Sequence, residues 1–224
     1  MISLPGLGRR LLVNGLKAEK NYSALPFSNS EYKSALNAVF EHLTTMTMDK
    51  VRTHPLGFVR LTLAERHVPD DMCIVLNFWN SDATHIQKED IHDHCYDFAS
   101  VCLEGSIGHE FYAERPNSNS DKFHQLQFKS GCCDTEVLRS SVLKKLVVVA
   151  TDQVDVGGAY FMSGKKLHAV TDWRPGSITL QFQSGLKQQR ASVFRHSDQK
   201  KNIHTKFEFN QVALDHLRER IGAL

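Results

Sequence analysis

The chain has 224 residues, of which 41% are apolar and 23% charged, a globular composition long enough to bury a real core. Its 27 basic and 25 acidic side chains leave a net charge of +2, which gives no reason to expect nucleic acid or an anionic membrane as the main partner. Five cysteines without a CxxC spacing argue against a disulfide framework and against a structural zinc site, and no apolar run approaches the ~20 residues that cross a bilayer.

In chain order, Met1–Asn14 carries Arg9-Arg10 but neither the apolar core nor the cleavage site of a signal peptide, so a cytoplasmic setting is expected. Met1 to Phe27, with Pro5, Gly6, Gly8 and Pro26, reads as an irregular arm. Ser28-Asn-Ser-Glu31 forms a capping box, and Ala35, Leu36, Val39, Phe40 and Leu43 recur at helical spacing behind it; this predicts a helix over Ser28 to Thr45. From Gly57 the pattern turns to short β-like runs: Phe58–Leu63, Cys73–Trp79, Tyr96–Leu103, His109–Tyr112, Phe123–Phe128, Val147–Thr151, Gly158–Phe161, Ser177–Gln183 and Ser192–Phe194. Many short strands at this spacing imply a mainly β sandwich or barrel. Asp134 to Lys145 reads as a helical insertion or a long loop. At the end, Val212, Leu214, Leu217 and Ile221 predict a helix over Gln211 to Ile221 on the outside of the sheet.

The chemistry concentrates at His92-Asp93-His94 and, far downstream, at Gly164-Lys-Lys-Leu-His168. On a strand, alternate side chains share a face, so His92 and His94 point one way while Asp93 and Cys95 point the other. Two imidazoles on one face and a third from another strand make a facial ligand set that leaves positions open for substrate and for oxygen or water. Asp97 approaches such a site only through a bulge, and Cys102 has the small buried role of most free thiols. His85, His109 and His124 have no partner at ligand spacing and read as surface or pocket-edge residues, and His109, soon after Gly105, is also placed to line the cavity.

The run Ile91-His-Asp-His94-Cys-Tyr-Asp-Phe98, six residues, then Gly105, together with Gly158-Ala-Tyr160-Phe-Met-Ser-Gly164-Lys-Lys-Leu-His168, resembles the two motifs of the cupin superfamily. Phe98 stands where ordinary cupins carry a glutamate ligand, which leaves three histidines. Three-histidine cupins include the cysteine dioxygenase-like thiol dioxygenases. Further residues resemble that family: Cys73-Ile-Val-Leu-Asn-Phe-Trp79 as the strand entering the site, and Phe58-Val-Arg60 in place of its Tyr-x-Arg. The family's cross-linked cysteine falls on Phe98 and its tyrosine near Gln183, so that thioether cannot form here. Its Ser-x-His-x-Tyr strand becomes Thr179-x-Gln181-x-Gln183.

The resemblance, over roughly residues 55 to 185, implies a cupin-type jelly-roll barrel over 55–200, an N-terminal arm and helix over 1–54, and a C-terminal helix over 201–224, within a single structural domain. It implies Fe(II) on His92, His94 and His168, with Zn, Ni or Mn as alternative metals for the same imidazoles, and O2 as co-substrate. The expected partner is a small carboxylate-bearing amino acid or thiol, bound by a monomer or homodimer. Arg60 alternates with Val59 and Leu61, and a guanidinium aimed inward would grip the carboxylate bidentately, a role Arg190 or Arg195 would otherwise serve. Phe58, Trp79 and Phe98 would wall the substrate, while Tyr160, Gln181 and Gln183 would hydrogen-bond around the centre. The alternatives on the same barrel are a redox-silent isomerase, lyase or cyclase, or a small-molecule-binding module without catalysis.

Overall fold

The stretch before the capping box is regular structure, and this corrects the expected irregular arm. In the computed structural model, which describes residues 3–18, 20–53, 58–68, 70–79, 90–129, 137–196 and 211–223, helix α1 spans Leu4–Lys17 and strand β1 spans Tyr22–Leu25. Ser3 caps α1 by accepting from the Gly6 amide at 3.3 Å, and Pro5 sits in the first turn, where a proline costs no hydrogen bond. Leu4, Leu7, Leu11 and Leu12 make the buried stripe. Gly8, one of the residues that suggested an arm, and Gly15 let the helix lie close on the sheet. A Cβ at Gly8 would stand 2.5 Å from the Phe182 ring, and one at Gly15 would stand 2.1 Å from the Phe161 ring.

Helix α2 runs over Asn29–Thr45 as expected, and its capping box is formed: Ser28 Oγ accepts from the Glu31 amide at 3.3 Å, while Glu31 accepts from the Ser28 amide at 2.8 Å. A short 3-10 turn, Met48–Lys50, leads into β2, Val51–Thr53, so the sheet begins before residue 55. Then follow β3 (Val59–Ala64), β4 (Cys73–Trp79), β5 (Ile91–His92), β6 (Tyr96–Glu104), β7 (Ser106–Glu114) and β8 (Lys122–Lys129). After these come β9 (Val137–Asp155), β10 (Ala159–Met162), β11 (His168–Trp173), β12 (Ser177–Leu186), β13 (Arg190–His196) and helix α3 (Gln211–Gly222). The helix or loop expected over Asp134 to Lys145 is, from Val137 on, the first half of β9. That strand finds partners along its length in β8 and β7, and the ladder overrides its weak local preference. His85, Gly131-Cys-Cys133 and residues 134–136 and 201–210 lie outside the described residues.

The architecture is mainly β, as the sequence implies, with two antiparallel sheets. The first has the order β1-β10-β6-β12-β4-β3-β2; in the second, β11-β5-β13-β8-β9-β7 close into a ring. One face of the first sheet is apolar (Val59, Leu61, Leu76, Phe78, Val101, Phe161, Leu180, Phe182) and packs under all three helices, whose Leu11, Val39, Leu43, Leu217 and Ile221 join the same core. The other face looks at the second sheet. Phe98, Cys102, Tyr160 and Met162 meet Phe111 and Val154 across the gap, and Phe58 and Trp79 meet Ile107 and Val170. The far side of the second sheet carries its own small cluster of Ile91, Tyr112, Leu146, Ala169 and Phe194. No helix among the described residues is long and apolar enough to cross a membrane.

Candidate metal centre

Alternation decides which side chains enter the gap between the sheets. With Ile91 and Ala169 in the cluster on the far side, His92 and His168 must point toward the first sheet. They are also direct partners across the β11–β5 ladder, which brings their side chains together on one face. His94 lies two residues past His92, just beyond the end of β5. It is held by backbone: its amide donates to Gly164 O at 2.8 Å, the Gly164 amide donates to Asp97 Oδ1 at 2.8 Å, and Gln188 Nε2 donates to His94 O at 2.9 Å. The two sequence motifs are thus strapped to each other through Gly164. Asp97 serves that strap, and the bulge that would turn it to the centre is not needed. The motif glycine Gly105 joins β6 to β7 at φ 73°, a left-handed conformation, and a Cβ there would stand 2.2 Å from Ser177 Oγ.

The result is a group of three imidazoles whose ligand nitrogens all lie within 4.8 Å of one another. Ring centroids are 4.5 Å apart for His92–His168, 4.8 Å for His92–His94 and 5.1 Å for His94–His168. The tautomers suit a metal. His92 Nδ1 stands 2.9 Å from Asp90 O, and His168 Nδ1 stands 2.9 Å from Lys166 O. A carbonyl only accepts, so each Nδ1 carries the proton and each Nε2 keeps its lone pair for a ligand. These carbonyls are the outer partners that orient metal-binding histidines. Burial pushes both imidazoles below their ordinary pKa, His168 well below, so both are neutral donors at pH 7. His94 is half-buried and stacks on Tyr96 at 5.3 Å. The donor set therefore fits a first-row divalent metal with open positions.

Around this group the expected residues are distributed unevenly. Phe98 is at the centre: its ring meets His94 edge-on at 5.0 Å and His168 at 6.3 Å. Gln183 is the direct cross-strand neighbour of Phe98, so the two positions linked by the resemblance do adjoin. Gln183 Nε2 donates to Gln181 Oε1 at 2.8 Å, and Arg60 Nη2 donates to the same oxygen at 3.2 Å. Arg60 Nε is buried with no hydrogen-bond partner. Arg60, Gln181 and Gln183 thus form one polar row leading to the Phe98 wall. Tyr160 is buried beside Phe98 at 6.0 Å.

Phe58 and Trp79, by contrast, stack on each other at 5.0 Å within the cluster of Ile107 and Val170, two residues along β11 from His168. They close the far end of the gap. Arg195 is engaged with Asp90 at 2.6 Å, the residue whose carbonyl orients His92, and so is placed as a support. Asp93 faces away from the histidines, as alternation requires, and accepts from the Ser192 amide at 2.5 Å; burial raises its carboxyl to about 6.

His109, read from the sequence as a surface or pocket-edge residue placed to line the cavity, lies inside the gap. It is 2% exposed, its ring lies 6.1 Å from His168 and 5.0 Å from Tyr160, and its Nδ1 has no hydrogen-bond partner. Burial pushes its imidazole down to about 4. The signal was present in the alternation Ile107, His109, Phe111, which puts His109 on the inward face of β7. Tyr22, on the stretch read as an arm, also reaches the site: its ring lies 5.7 Å from Tyr160 and 4.6 Å from Phe111.

No family model matches the chain. No curated protein matches it either. Among solved structures, the chain is similar to an L-ribose isomerase of Cellulomonas parahominis with L-psicose, at 13% identity over 86% of this chain and 96% of that one, with a TM-score of 0.34. It is also similar to a hydroquinone 1,2-dioxygenase in complex with Cd2+ and 4-hydroxybenzonitrile, at 10% identity over 56% and 63% of the two chains, TM-score 0.22. A third likeness is to Drosophila melanogaster CENP-C bound to CAL1, at 10% identity over 69% and 98%, TM-score 0.24. Likenesses this distant carry no functional argument, and the functional reading rests on the three-histidine site.

Proposed function

We propose that the protein is a non-haem iron oxygenase that uses O2 on a small carboxylate-bearing amino acid or thiol, a divergent relative of the cysteine dioxygenase-like cupins. The observation that carries the reading is the convergence of His92, His94 and His168, with two of the three held by backbone carbonyls in the tautomer that offers Nε2. Three neutral imidazoles suit iron, zinc, nickel or manganese; iron follows from the resemblance of the two motifs. When bound, iron supplies the electrons that activate oxygen and a coordination site for the substrate.

The chain's own residues do the rest. Arg60 gives the guanidinium for the substrate carboxylate, with Gln181 holding one of its nitrogens in place. Gln183 and Gln181 present neutral donors and acceptors beside the centre. They replace an acid–base pair with groups that orient a ligand but do not titrate. Phe98 excludes a fourth protein ligand and keeps that flank dry. Tyr160 offers a hydroxyl on the wall of the gap. Phe58 and Trp79 stop water entering from the opposite end.

The test is metal content by mass spectrometry on purified protein, then oxygen uptake with small thiols and amino acids on the iron-loaded form. Iron bound by the wild type and lost in His92→Ala, His94→Ala and His168→Ala, with substrate-dependent oxygen uptake, is the expected result. Full iron occupancy in any of the three variants overturns the ligand assignment. Turnover without oxygen uptake, supported by zinc, replaces the oxygenase with an isomerase, lyase or cyclase. Metal that only raises thermal stability, without turnover, makes the site a binding module.

A further inference from the structure

The iron reading leaves a group of aromatic rings beside the centre unexplained. From His168 the rings step to His109 at 6.1 Å, to Tyr160 at 5.0 Å and to Tyr22 at 5.7 Å. At the end of this series the Tyr22 hydroxyl donates to the Asp152 carboxylate. Asp152 is exposed on β9, directly across the ladder from His109. The series therefore begins beside the metal ligands, crosses from one sheet to the other, and finishes on a carboxylate open to water.

A purely structural role for Tyr22 would be to pin β1 to the second sheet. The ring already does that by packing on Phe111 at 4.6 Å, and a phenylalanine would pack as well. The hydroxyl adds something else: a phenol whose proton has an acceptor in place. A phenol gives up an electron readily only when its proton leaves in the same event, since the protonated radical cation is a very strong acid. Burial and the Asp152 carboxylate raise the Tyr22 phenol above its ordinary pKa, so it stays protonated and ready to donate.

We propose that Tyr22 and Asp152 form a proton-coupled redox pair that drains one-electron oxidising equivalents from the metal centre, through Tyr160, to the protein surface. The proposal rests on the iron reading. With iron held by His92, His94 and His168, oxygen or peroxide admitted without substrate would be a one-electron oxidant at the centre. The electron that reduces it would cross the packed Tyr160 ring without leaving a Tyr160 radical, and the Tyr22 phenol is its source. The phenolic proton moves to Asp152, leaving a neutral Tyr22 phenoxyl. A soluble one-electron reductant such as ascorbate then returns an electron, and the proton on Asp152 returns to the phenoxyl oxygen. The net effect is reduction of the stray oxidant at the expense of the external reductant, and the ligand histidines are spared.

Two experiments with paramagnetic resonance separate the pair from the metal. In metal-free protein, a soluble ruthenium photo-oxidant should give a tyrosyl radical signal. Tyr22→Phe should remove its main component, and Asp152→Asn should lose most of it, since the ring remains but its proton acceptor does not. Tyr160→Leu should leave this signal in place. In iron-loaded protein given peroxide without substrate, the same radical should appear in the wild type. It should be lost in Tyr22→Phe and Asp152→Asn, and weakened in Tyr160→Leu, which removes the bridging ring. Oxygen addition to the peptides carrying His92, His94 and His168, read by mass spectrometry, should rise in those three variants.

Asp152→Asn is a surface change and guards against a Tyr22 variant that fails to fold. A metal-free signal unchanged by Tyr22→Phe or Asp152→Asn overturns the pair. Iron bound with no radical, or with ligand oxidation unchanged in the variants, overturns the relay and leaves the iron reading intact. A protein that takes up no iron overturns both.

Discussion

The two faces of the first sheet are built from the same strands yet carry opposite chemistry. Toward the helices, Leu61, Leu76, Phe78, Val101, Leu180 and Phe182 are entirely apolar and buried. Toward the second sheet, the alternate positions hold Arg60, Asn77, Ser100, Thr179, Gln181 and Gln183, and all but the half-buried Arg60 are buried as well. Burying polar groups stabilises a fold only when each finds a partner, and Arg60 Nε, Asn77 Oδ1 and Ser100 Oγ do not. The helix-facing side holds the molecule together, and the inward side spends stability on a site.

Breaking the apolar face should have the largest effect. Phe182→Ala removes a fully buried ring beneath α1 and should cost about 3–5 kcal/mol in denaturant melts. Iron uptake by the protein that remains folded should be unchanged. A loss under 1 kcal/mol would mean that this face is not the main core.

Acid should weaken the inward face next. Burial lowers His92 and His168 below the usual imidazole range and His109 to about 4. The unfolded chain protonates these rings near pH 6.5, so below that value it binds more protons than the folded chain. Stability of the metal-free protein therefore falls as pH drops from about 6.5 toward 4, by up to about 1.4 kcal/mol per unit for each histidine. Asp93, raised to about 6, works in the opposite sense, because the folded state takes up its proton first. Three histidines outweigh one carboxyl, so the loss continues below pH 6, less steeply than the histidines alone would give. Urea midpoints that stay flat between pH 7 and 5 would mean the rings are not buried as neutral bases.

Arg60→Ala sharpens the comparison within the inward face. It should raise KM for carboxylate substrates by an amount worth about 1.5–3 kcal/mol while leaving metal content unchanged. Equal constants for acidic and neutral substrates would remove Arg60 from the site. The smallest effect belongs to the cover: Ser28→Ala deletes the α2 cap and should cost about 1 kcal/mol in thermal melts, with metal uptake intact.

Much of this was legible in the chain. The capping box at Ser28 and Glu31 marks the start of α2, and the run Cys73–Trp79 is β4 to the residue. These elements announce themselves because cap and alternation are local. Helix α1 was obscured by Pro5, Gly6 and Gly8, and Gly8 serves the approach of Phe182 from a sheet more than a hundred residues away. Strand β9 was obscured because its order comes from β7 and β8 rather than from its own sequence.

For the site, the sequence by itself determined the shared face of His92 and His94 and the alternation of Thr179, Gln181 and Gln183, while His168 as a third ligand and Phe98 at the fourth-ligand position came from the motif resemblance. Spacing two apart on a strand fixes a shared face wherever the strand lies. Only the tertiary structure decided that His168 stands opposite His92, that Gly164 straps His94 beside them, and that His109 and Tyr22 belong to the same neighbourhood. Those facts depend on register between strands distant in the chain. Register is set by the packing of whole faces, which no local pattern of residues encodes.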